Sequence, residues 1–421
     1  MTSDHSPESG LRPRTRSHGS SATISNEPAS HPKLGSNGQS KTPGNAMLRS
    51  AYLPEPETDS YCSFDERREA LYIVHYVQEL APLIDICDPS RRFGTDVPKL
   101  ALQNPLLTSA MLAFASRDWL RVHGEEDLLS DKYSSQALRL LIPILDRPVE
   151  LLDDTVLAAV VLLRLYEETI DFDTGTHLLG TAKLLNSPSS YAGRGGLGEA
   201  ASWIALRQQL YLSTTYSQPV HMDLDYFQLS YLEDSTPEFF ANCIILLCCR
   251  ILRCAHETAG KFMLADWVAL RDEVSLWCES VQWPFKPEVS TDLTDEDMPN
   301  LWIPTPVHAI AYQHYYFALL LLTMYEPLNW IPGKEALLAR RKVDTAMQHN
   351  MVVISALAIS NPTVITASLT AHHILYAYGS FIRRGSHRQA ILEFFKKIPA
   401  RSGWPMDNLV PKLQADWAQG Y

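Results

Sequence analysis

The chain has 421 residues, of which 46% are hydrophobic and 10% aromatic, so it can bury a large core. The formal net charge of −12 is unevenly distributed: residues 1–50 hold six Lys/Arg and three Asp/Glu, and the remainder carries a net charge of −15. A body this acidic repels phosphate backbones, which argues against nucleic-acid binding by the body itself.

Cysteine usage and apolar runs limit the class of protein. The seven cysteines are irregularly spaced, and most lie in apolar runs: Cys62, Cys87, Cys243, Cys248, Cys249, Cys254 and Cys278. An odd number in such a setting indicates free thiols in a reducing compartment. The N-terminus lacks the apolar segment of a secretory signal, and apolar runs such as 156–163 and 317–322 are too short to span a bilayer. We therefore expect a soluble intracellular protein.

Residues 1–60 differ in amino-acid composition from the rest of the chain. They are rich in Ser, Pro, Gly, Asn and Thr and contain very few apolar residues. Such a segment cannot bury enough surface to offset its chain entropy. We predict a disordered, linker-like tail over 1–60 and an α-helical domain over 61–421.

Helical periodicity begins after Phe64. The segment DERREALYIVHYVQELAPLID places Leu71, Val74, His75 and Gln78 at helical spacing. The segment NPLLTSAMLAFASRDWLRVHG then has Asn104 as the predicted N-cap and Gly124 at the predicted end. The sequence predicts further helices at 127–145, 151–169, 173–187, 197–216, 237–259, 263–283, 304–327, 334–360, 362–384 and 386–398.

Strand signals are missing from the sequence. No convincing run alternates apolar and polar residues, and no Asn-Gly or Asp-Gly turn joins β-branched segments. The prediction is an all-α fold: a large, irregular multi-helix domain of antiparallel helix pairs without a fixed repeat.

The segment YAGRGGLGEAASWIALRQQLYLS contains one candidate nucleotide site. Gly193, Gly195 and Gly198 match G-x-G-x-x-G ahead of a predicted helix. A dinucleotide fingerprint needs a hydrophobic strand before it, and here the turn-like NSPSSYA precedes the glycines. We interpret the glycines as a flexible connector.

Other candidate sites also favour structural interpretations. In FFANCIILLCCRILRCAHE the cysteines lack metal-ligand spacing and indicate core packing. His308, His314, His372 and His373 lie beside Tyr and Leu on predicted helices, and we interpret them as core or groove histidines. Asp171 and Asp173 favour a helix cap, and 291–299 favours a solvated acidic loop. We therefore assign no catalytic, cofactor-binding or metal-binding residue, and we expect no enzyme activity and no cofactor.

Several segments together resemble the fungal-specific transcription factor domain, the helical regulatory region of fungal zinc-cluster regulators. The opening ALYIVHYVQELAPLIDICDPSRRFGTDVPKLALQNPLLTSAMLAFASRDW resembles that of the family, with an extended link expected at 93–98. The segment EAASWIALRQQLYLSTTYSQPVHMDLD resembles two later family motifs, a Trp-x-x-x-Arg-Gln helix and the Pro-Val-x-x-Asp turn that follows it. The segment ADWVALRDEVSLWCESVQWPFKPE resembles a further one. The likeness covers roughly residues 64–400, and its specificity comes from four motifs in the expected order.

The Trp-x-x-x-Arg-Gln motif has a structural explanation. Trp203, Arg207, Leu210 and Tyr211 fall on one helical face. Arg207 then needs a carboxylate or backbone carbonyls, and Asp223 or Asp225 are plausible partners in the sequence.

The resemblance implies a nuclear transcription regulator of a metabolic or secondary-metabolite gene set. Its partners would be the transcription machinery or a DNA-binding protein, with a small-molecule effector as a further partner, and no membrane. No cysteine precedes Cys62, so we expect the zinc cluster to be missing from this chain or encoded upstream of Met1. Two alternatives stay open: a co-regulator or interaction scaffold that does not bind DNA, and an α-helical enzyme acting on an apolar metabolite.

Overall fold

The computed structural model describes residues 67–125, 129–147, 153–170, 195–227, 236–281, 283, 298–327, 333–398 and 403–419. These residues all belong to one compact unit, Thr58–Tyr421. Within the described ranges the regular structure is helical and no strand occurs, which confirms the all-α fold class. The predicted tail over 1–60 and the predicted helix over 173–187 lie outside the described residues.

The described helices are numbered in chain order. Helix α1 (Arg67–His75) continues through a π-helical turn (Tyr76–Leu80) into α2 (Ala81–Ile84) and a 3₁₀ turn (Asp85–Cys87). The others are α3 (Arg92–Ala101), α4 (Pro105–His123), α5 (Ser130–Leu145), α6 (Asp154–Glu168), α7 (Gly196–Tyr216), α8 (Pro237–Glu257), α9 (Leu264–Ser280), α10 (Pro306–Met324), α11 (Lys334–Ser360), α12 (Ile365–Tyr378), α13 (Gly385–Phe395) and α14 (Leu409–Ala418). Two short 3₁₀ turns, Leu224–Tyr226 and Gly379–Phe381, complete the set.

Helix α3 corrects the expectation of an extended link at 93–98. Gly94 and Pro98 weaken the helical signal in the sequence. In the structure, carboxylates of the preceding turn bind the first amides of this helix. The Phe93 and Gly94 amides donate to Asp85 at 3.0 and 2.7 Å, and the Arg92 amide donates to Asp88 at 2.8 Å. These contacts satisfy donors that an isolated helix start leaves unpaired.

The start of α4 agrees with the predicted cap, and α6 begins three residues after its predicted start at 151. The side chain of Asn104 accepts from the Leu107 amide at 3.1 Å and caps α4. Asp153 accepts from the amides of Thr155 and Val156 and caps α6. At the other end of α4, Gly124 has φ +66°, a left-handed conformation that favours glycine.

Helix α7 lies at the centre of the described unit. It contacts α3, α6, α8 and α12. Residues around its whole circumference are buried, including Leu197, Ala201, Leu206, Gln209 and Leu210. Sequence neighbours such as α4 and α5, or α8 and α9, also pack against each other. Helix α7 therefore contacts helices that precede it and helices that follow it in the chain.

Helix α8 is the one described helix that is long and apolar enough to cross a membrane by length and composition. Of its most apolar window, 72% is buried inside the protein. Helix α8 is buried by its contacts with α7, α9 and α10. Burial of this extent is typical of a core helix in a folded domain.

Candidate functional site

Three neighbouring cavities surround α7. The central cavity, about 40 Å³, lies between α2, α6, α7, α10 and α12 and has mostly aliphatic walls. The histidine cavity, about 80 Å³, shares Glu168, Tyr211, Leu369 and Trp404 with it and adds His372 and His373. The outer cavity, about 230 Å³, shares Ile84, Ile204 and Arg207 with the central cavity. This connected set is the candidate functional site.

Arg207 separates the central cavity from the outer cavity. Its guanidinium donates to the Ile84 carbonyl oxygen at 2.9 Å and lies 3.8 Å from the Cys87 sulfur. The sequence left a carbonyl or a carboxylate open, and the structure shows a carbonyl. Asp223 instead caps a 3₁₀ turn, and Asp225 lies 3.5 Å from Arg253. The suggestion of Asp223 or Asp225 as the partner of Arg207 is therefore wrong.

Asp85 is the first residue of the 3₁₀ turn between α2 and α3. Burial raises the pKa of its carboxyl to about 6, while the Phe93 and Gly94 amides and the Arg207 charge act in the lowering direction. Its two amide contacts hold the start of α3 against α2. The carboxyl is therefore engaged in structural contacts, because both of its oxygens accept from backbone amides.

Tyr211 stands between the central cavity and the histidine cavity. Its hydroxyl is 2.8 Å from the Thr370 hydroxyl, and its ring stacks on His373 with centroids 4.7 Å apart. Burial raises the pKa of Tyr211 to about 12, so the phenol stays neutral at physiological pH. The side chain contributes a hydrogen-bonding hydroxyl and an aromatic face.

The buried histidines near α7 are neutral. Burial lowers the pKa of both His314 and His372 to about 4, and it lowers that of His373 well below its usual value. His372 lies 3.2 Å from the Asn408 side-chain oxygen, and His373 lies 3.0 Å from the Thr215 hydroxyl. These placements confirm the core-or-groove interpretation of these histidines. His308 is half-buried beside Trp283, with ring centroids 4.1 Å apart.

Arg164 is a buried charge on α6, with 1% of its side chain exposed. Its guanidinium lies 3.4 Å from Glu167 and 3.6 Å from Glu168, one turn along the same helix. A buried charge is tolerated when opposite charges compensate it. Sequence periodicity did not single out Arg164, because i,i+3 and i,i+4 spacing to Glu is also common on exposed helix faces.

Two residues that line the central cavity each have a buried polar atom without a hydrogen-bond partner in the structure. These atoms are the side-chain oxygen of Gln208 on α7 and the hydroxyl of Thr366 on α12. Gln208 is only 3% exposed, and its amide nitrogen donates to the Val161 carbonyl at 3.4 Å. In the sequence, Gln208 stands out only as part of the Arg-Gln pair, and nothing in its spacing marks it as a cavity residue.

The segment after residue 403 closes one wall of the site. Trp404 lines both the central cavity and the histidine cavity. The Gly403 amide donates to Asp118 of α4 at 2.8 Å, and the other Asp118 oxygen is 2.7 Å from His75 of α1. A side chain at 403 would place its Cβ 2.7 Å from the Asp118 Cα, so this approach requires glycine. Helix α14, which the sequence did not predict, follows and packs on α12.

The glycine segment before α7 has carboxylates at its amides. The Gly195 amide donates to Glu199 at 2.6 Å, and the Gly198 amide donates to Asp154 at 3.0 Å. Negative side chains already occupy this helix N-terminus, and they would repel a phosphate. The contacts support the connector interpretation, although Gly193 lies outside the described residues.

The cysteine run of α8 is packed into the core. Cys243, Cys248 and Cys249 are fully buried, and burial raises the pKa of the Cys248 and Cys249 thiols. The Cys248 thiol donates to the His314 carbonyl at 3.3 Å. Core packing of these cysteines is confirmed. Across the described ranges, no group of three or more His, Cys, Asp or Glu residues could hold a metal ion. Asp171, Asp173, Cys62 and nearly all of 291–299 lie outside the described residues.

A family model matches the first part of this helical unit. Residues 71–204 match the fungal specific transcription factor domain. The family resemblance is confirmed over this stretch. It runs from α1 to the middle of α7 and covers less than half of the 421-residue chain. The motifs at 219–225 and 265–288 lie beyond the match and remain a resemblance. No significant match was found among curated proteins or among solved structures.

The matched domain supports a fungal transcription regulator and suggests a protein that is not an enzyme. Much of the candidate site belongs to it or directly adjoins it. Ile84, Cys87, Arg164, Glu168 and Ile204 lie within the match, whereas Arg207, Gln208 and Tyr211 follow it on the same helix.

Proposed function

We propose that the chain is a nuclear transcription regulator that controls a metabolic or secondary-metabolite gene set through its helical domain. The observation that carries the proposal is the match of residues 71–204, from α1 into α7, to the fungal specific transcription factor domain. Transcription takes place in the nucleus, and a regulator of this kind acts there with other proteins of the transcription machinery.

The cavities around α7 support an effector-binding role for the helical domain. Three neighbouring cavities that share lining residues are unusual in one core, because protein interiors are close-packed. An occupant that fits one arrangement of α7 better than another would shift the conformation of helices on both sides of it. We propose that a small molecule bound here changes the activity of the regulator.

The charge of the chain supports recruitment by a protein partner. Outside residues 1–50 the chain carries a net charge of −15, which opposes contact with DNA phosphates. We propose that a DNA-binding partner or a separate DNA-binding module brings the helical domain to its promoters.

A reporter assay tests the proposed function. The full chain is fused to a heterologous DNA-binding module, and expression of a reporter gene under the matching promoter is measured. We expect expression to change relative to the module alone, and transcripts of a metabolic gene set to change when the gene for the chain is deleted. An unchanged reporter together with an unchanged transcript profile would contradict the proposal.

The second candidate is a co-regulator that does not contact DNA, which the acidic body favours. A gel shift with the purified chain and its promoters separates the two. Sequence-specific retention of DNA by the chain alone would indicate direct contact with the promoter, whereas retention only after a DNA-binding partner is added would favour a co-regulator.

We propose no catalytic activity for the candidate site. Three of its titratable groups take part in structural contacts: Glu168 with Arg164, Arg207 with the Ile84 carbonyl, and Tyr211 with Thr370. An acid–base pair used in catalysis needs a group that is free to reach a substrate. Turnover of an apolar metabolite by the purified chain would contradict this proposal.

A further inference from the structure

The outer cavity is the roomiest of the three cavities around α7. Its volume is about 230 Å³, against about 40 and 80 Å³ for the central and histidine cavities. It lies between the turn that precedes α3, the first residues of α3, the first half of α7 and the start of α8. A protein cavity of roughly 150 Å³ is known to bind benzene. A ring-sized molecule with a polar group therefore has room in the outer cavity.

Arg207 places a positive charge without a carboxylate partner on the wall of this cavity. Its guanidinium contacts the Ile84 carbonyl and the Cys87 sulfur, and both residues line the outer cavity, so the charged end lies at that wall. The Arg207 side chain is only partly buried. Among the described residues, no carboxylate lies within ion-pair distance of the guanidinium. The Arg207 charge acts on the pKa of Asp85 in the lowering direction, yet both oxygens of Asp85 accept from backbone amides.

The N–H groups of Arg207 are incompletely used. A guanidinium carries more donors than the contacts with Ile84 and Cys87 occupy. One of these contacts is to a sulfur at 3.8 Å, which is a weak acceptor. A carboxylate can accept two parallel, charge-assisted bonds from the same guanidinium. A carboxylate in the outer cavity would therefore supply both the missing counter-charge and the missing acceptors.

The acidic residues of the outer cavity already have donors. Asp88 accepts from the amide and from the guanidinium of Arg92, so these two charges compensate each other. Glu199 accepts from the Gly195 amide at the start of α7, where the helix dipole favours a negative charge. Glu199 also lies two helical turns from Arg207, about 12 Å along the helix axis. The uncompensated charge is therefore positive, and it suits a single carboxylate better than a phosphate, which would bring more negative charge towards Asp88 and Glu199.

Apolar side chains adjoin Arg207 in the same cavity. Trp203 precedes Arg207 by one turn of α7, and Phe239 faces the cavity from α8. Ile84 and Ile204 add aliphatic surface to the wall. These side chains can cover an apolar ring and remove it from water. The cavity thus combines one cationic group with an apolar lining.

We propose that the outer cavity binds a small monocarboxylate with an apolar, ring-sized body. The carboxylate accepts two N–H bonds from Arg207, and the apolar body lies against Trp203 and Phe239. This inference rests on the proposed effector-binding role and names the chemical class of the effector.

Three probes of nearly the same size test the chemical class: phenylacetate, phenylacetamide and 2-phenylethylamine. Phenylacetamide has the shape of phenylacetate without its charge, and the amine carries the opposite charge. Their dissociation constants for the full chain are measured by titration calorimetry, or by protein-observed NMR where affinity is low. We expect phenylacetate to bind more tightly than phenylacetamide, and the amine to bind most weakly.

The decisive variant is Arg207→Gln, which removes the positive charge and keeps a polar side chain. We expect the ratio of phenylacetate affinity to phenylacetamide affinity to fall about tenfold, which corresponds to about 1.4 kcal/mol. A purely structural role of Arg207 would weaken both probes alike and leave this ratio unchanged. Arg271→Gln is the matched control, because Arg271 is an exposed residue of α9 that contacts Asp272. The control should retain the ratio of the unmodified chain, and circular dichroism checks that both variants fold.

Three outcomes overturn the inference. The first is that none of the probes binds to the unmodified chain. The second is that phenylacetamide or the amine binds as tightly as phenylacetate. The third is an affinity ratio that is the same in Arg207→Gln and in the control.

A second variant keeps the test decisive if Arg207→Gln does not fold. Arg207→Lys retains the charge but loses the pair of parallel N–H donors, so the ratio should still fall, by a smaller factor. An unchanged ratio in Arg207→Lys would then overturn the proposed two-bond contact. None of these results alters the reporter assay, so loss of the ligand site and loss of the regulatory function are separate results.

Discussion

Acidification from pH 7 to pH 5 should destabilise this protein through its buried histidines. His314 and His372 have folded-state pKa values of about 4, against an ordinary value of 6.5. The unfolded chain therefore takes up protons first as the pH falls. The free energy of unfolding is retained above pH 6.5 and decreases as the pH falls through 6.5 towards 4.

The size of the effect follows from the two pKa values. A histidine shifted from 6.5 to about 4 lowers the free energy of unfolding by about 2 kcal/mol between pH 7 and pH 5. The two histidines together give about 4 kcal/mol, and His373 acts in the same direction. Asp85 acts in the opposite direction, because its folded-state pKa of about 6 lies above the ordinary value of 3.8. Its proton uptake stabilises the folded state by roughly 1 kcal/mol over this interval, so His314, His372 and Asp85 together give a loss of about 2–3 kcal/mol.

Urea unfolding at pH 7, 6 and 5, followed by tryptophan fluorescence, measures this loss. His314→Leu replaces the buried imidazole by an apolar side chain and so removes one titrating group. The loss between pH 7 and pH 5 should therefore shrink by about 2 kcal/mol in this variant. His123→Gln, at an exposed position of α4, is the control and should show the loss of the unmodified chain. An identical loss in His314→Leu and in the control would refute the assignment of acid sensitivity to the buried imidazole.

Four further predictions concern other parts of the chain. Gly403→Ala should lower the free energy of unfolding by about 1–3 kcal/mol, because its Cβ would overlap Asp118. Gly385→Ala, with nothing within 4 Å of its Cβ, should not, and equal effects of the two substitutions in urea unfolding would contradict the packing argument. Elemental analysis of chelator-washed protein should find no stoichiometric zinc, since no cysteine pair has ligand spacing; one zinc per chain would show the opposite. In binding titrations at about 150 mM salt, the chain alone should bind promoter DNA no more tightly than random duplex, because Arg12, Arg14 and Arg16 offer only weak attraction; a clear preference for one sequence would disprove this. Limited proteolysis should remove residues up to about 60 first, in keeping with their composition, and cutting of the helical body before the tail would count against a disordered tail.

Helix positions were largely predictable from the sequence because their causes are local. Each of these causes acts within one or two helical turns. Examples are the Asn104 and Asp153 caps, Gly124 at the end of α4 and the apolar spacing of α8. Helix α3 was missed because its start depends on carboxylates of the preceding turn, and Gly94 and Pro98 concealed it. Helix α14 was missed because its order derives from packing on α12.

The sequence by itself determined the all-α class, the family resemblance and the burial of the cysteine run. Periodicity and apolar content specify which side of a helix is buried, and these properties are written in residue type and spacing. The sequence did not determine which groups meet. Arg207 reaches the Ile84 carbonyl 123 positions away, and the Gly403 amide reaches Asp118 across 285 positions. The central cavity likewise exists only because five helices leave a space between them. Contacts and cavities of this kind arise when helices pack in three dimensions, so only the tertiary structure decided where the candidate site lies.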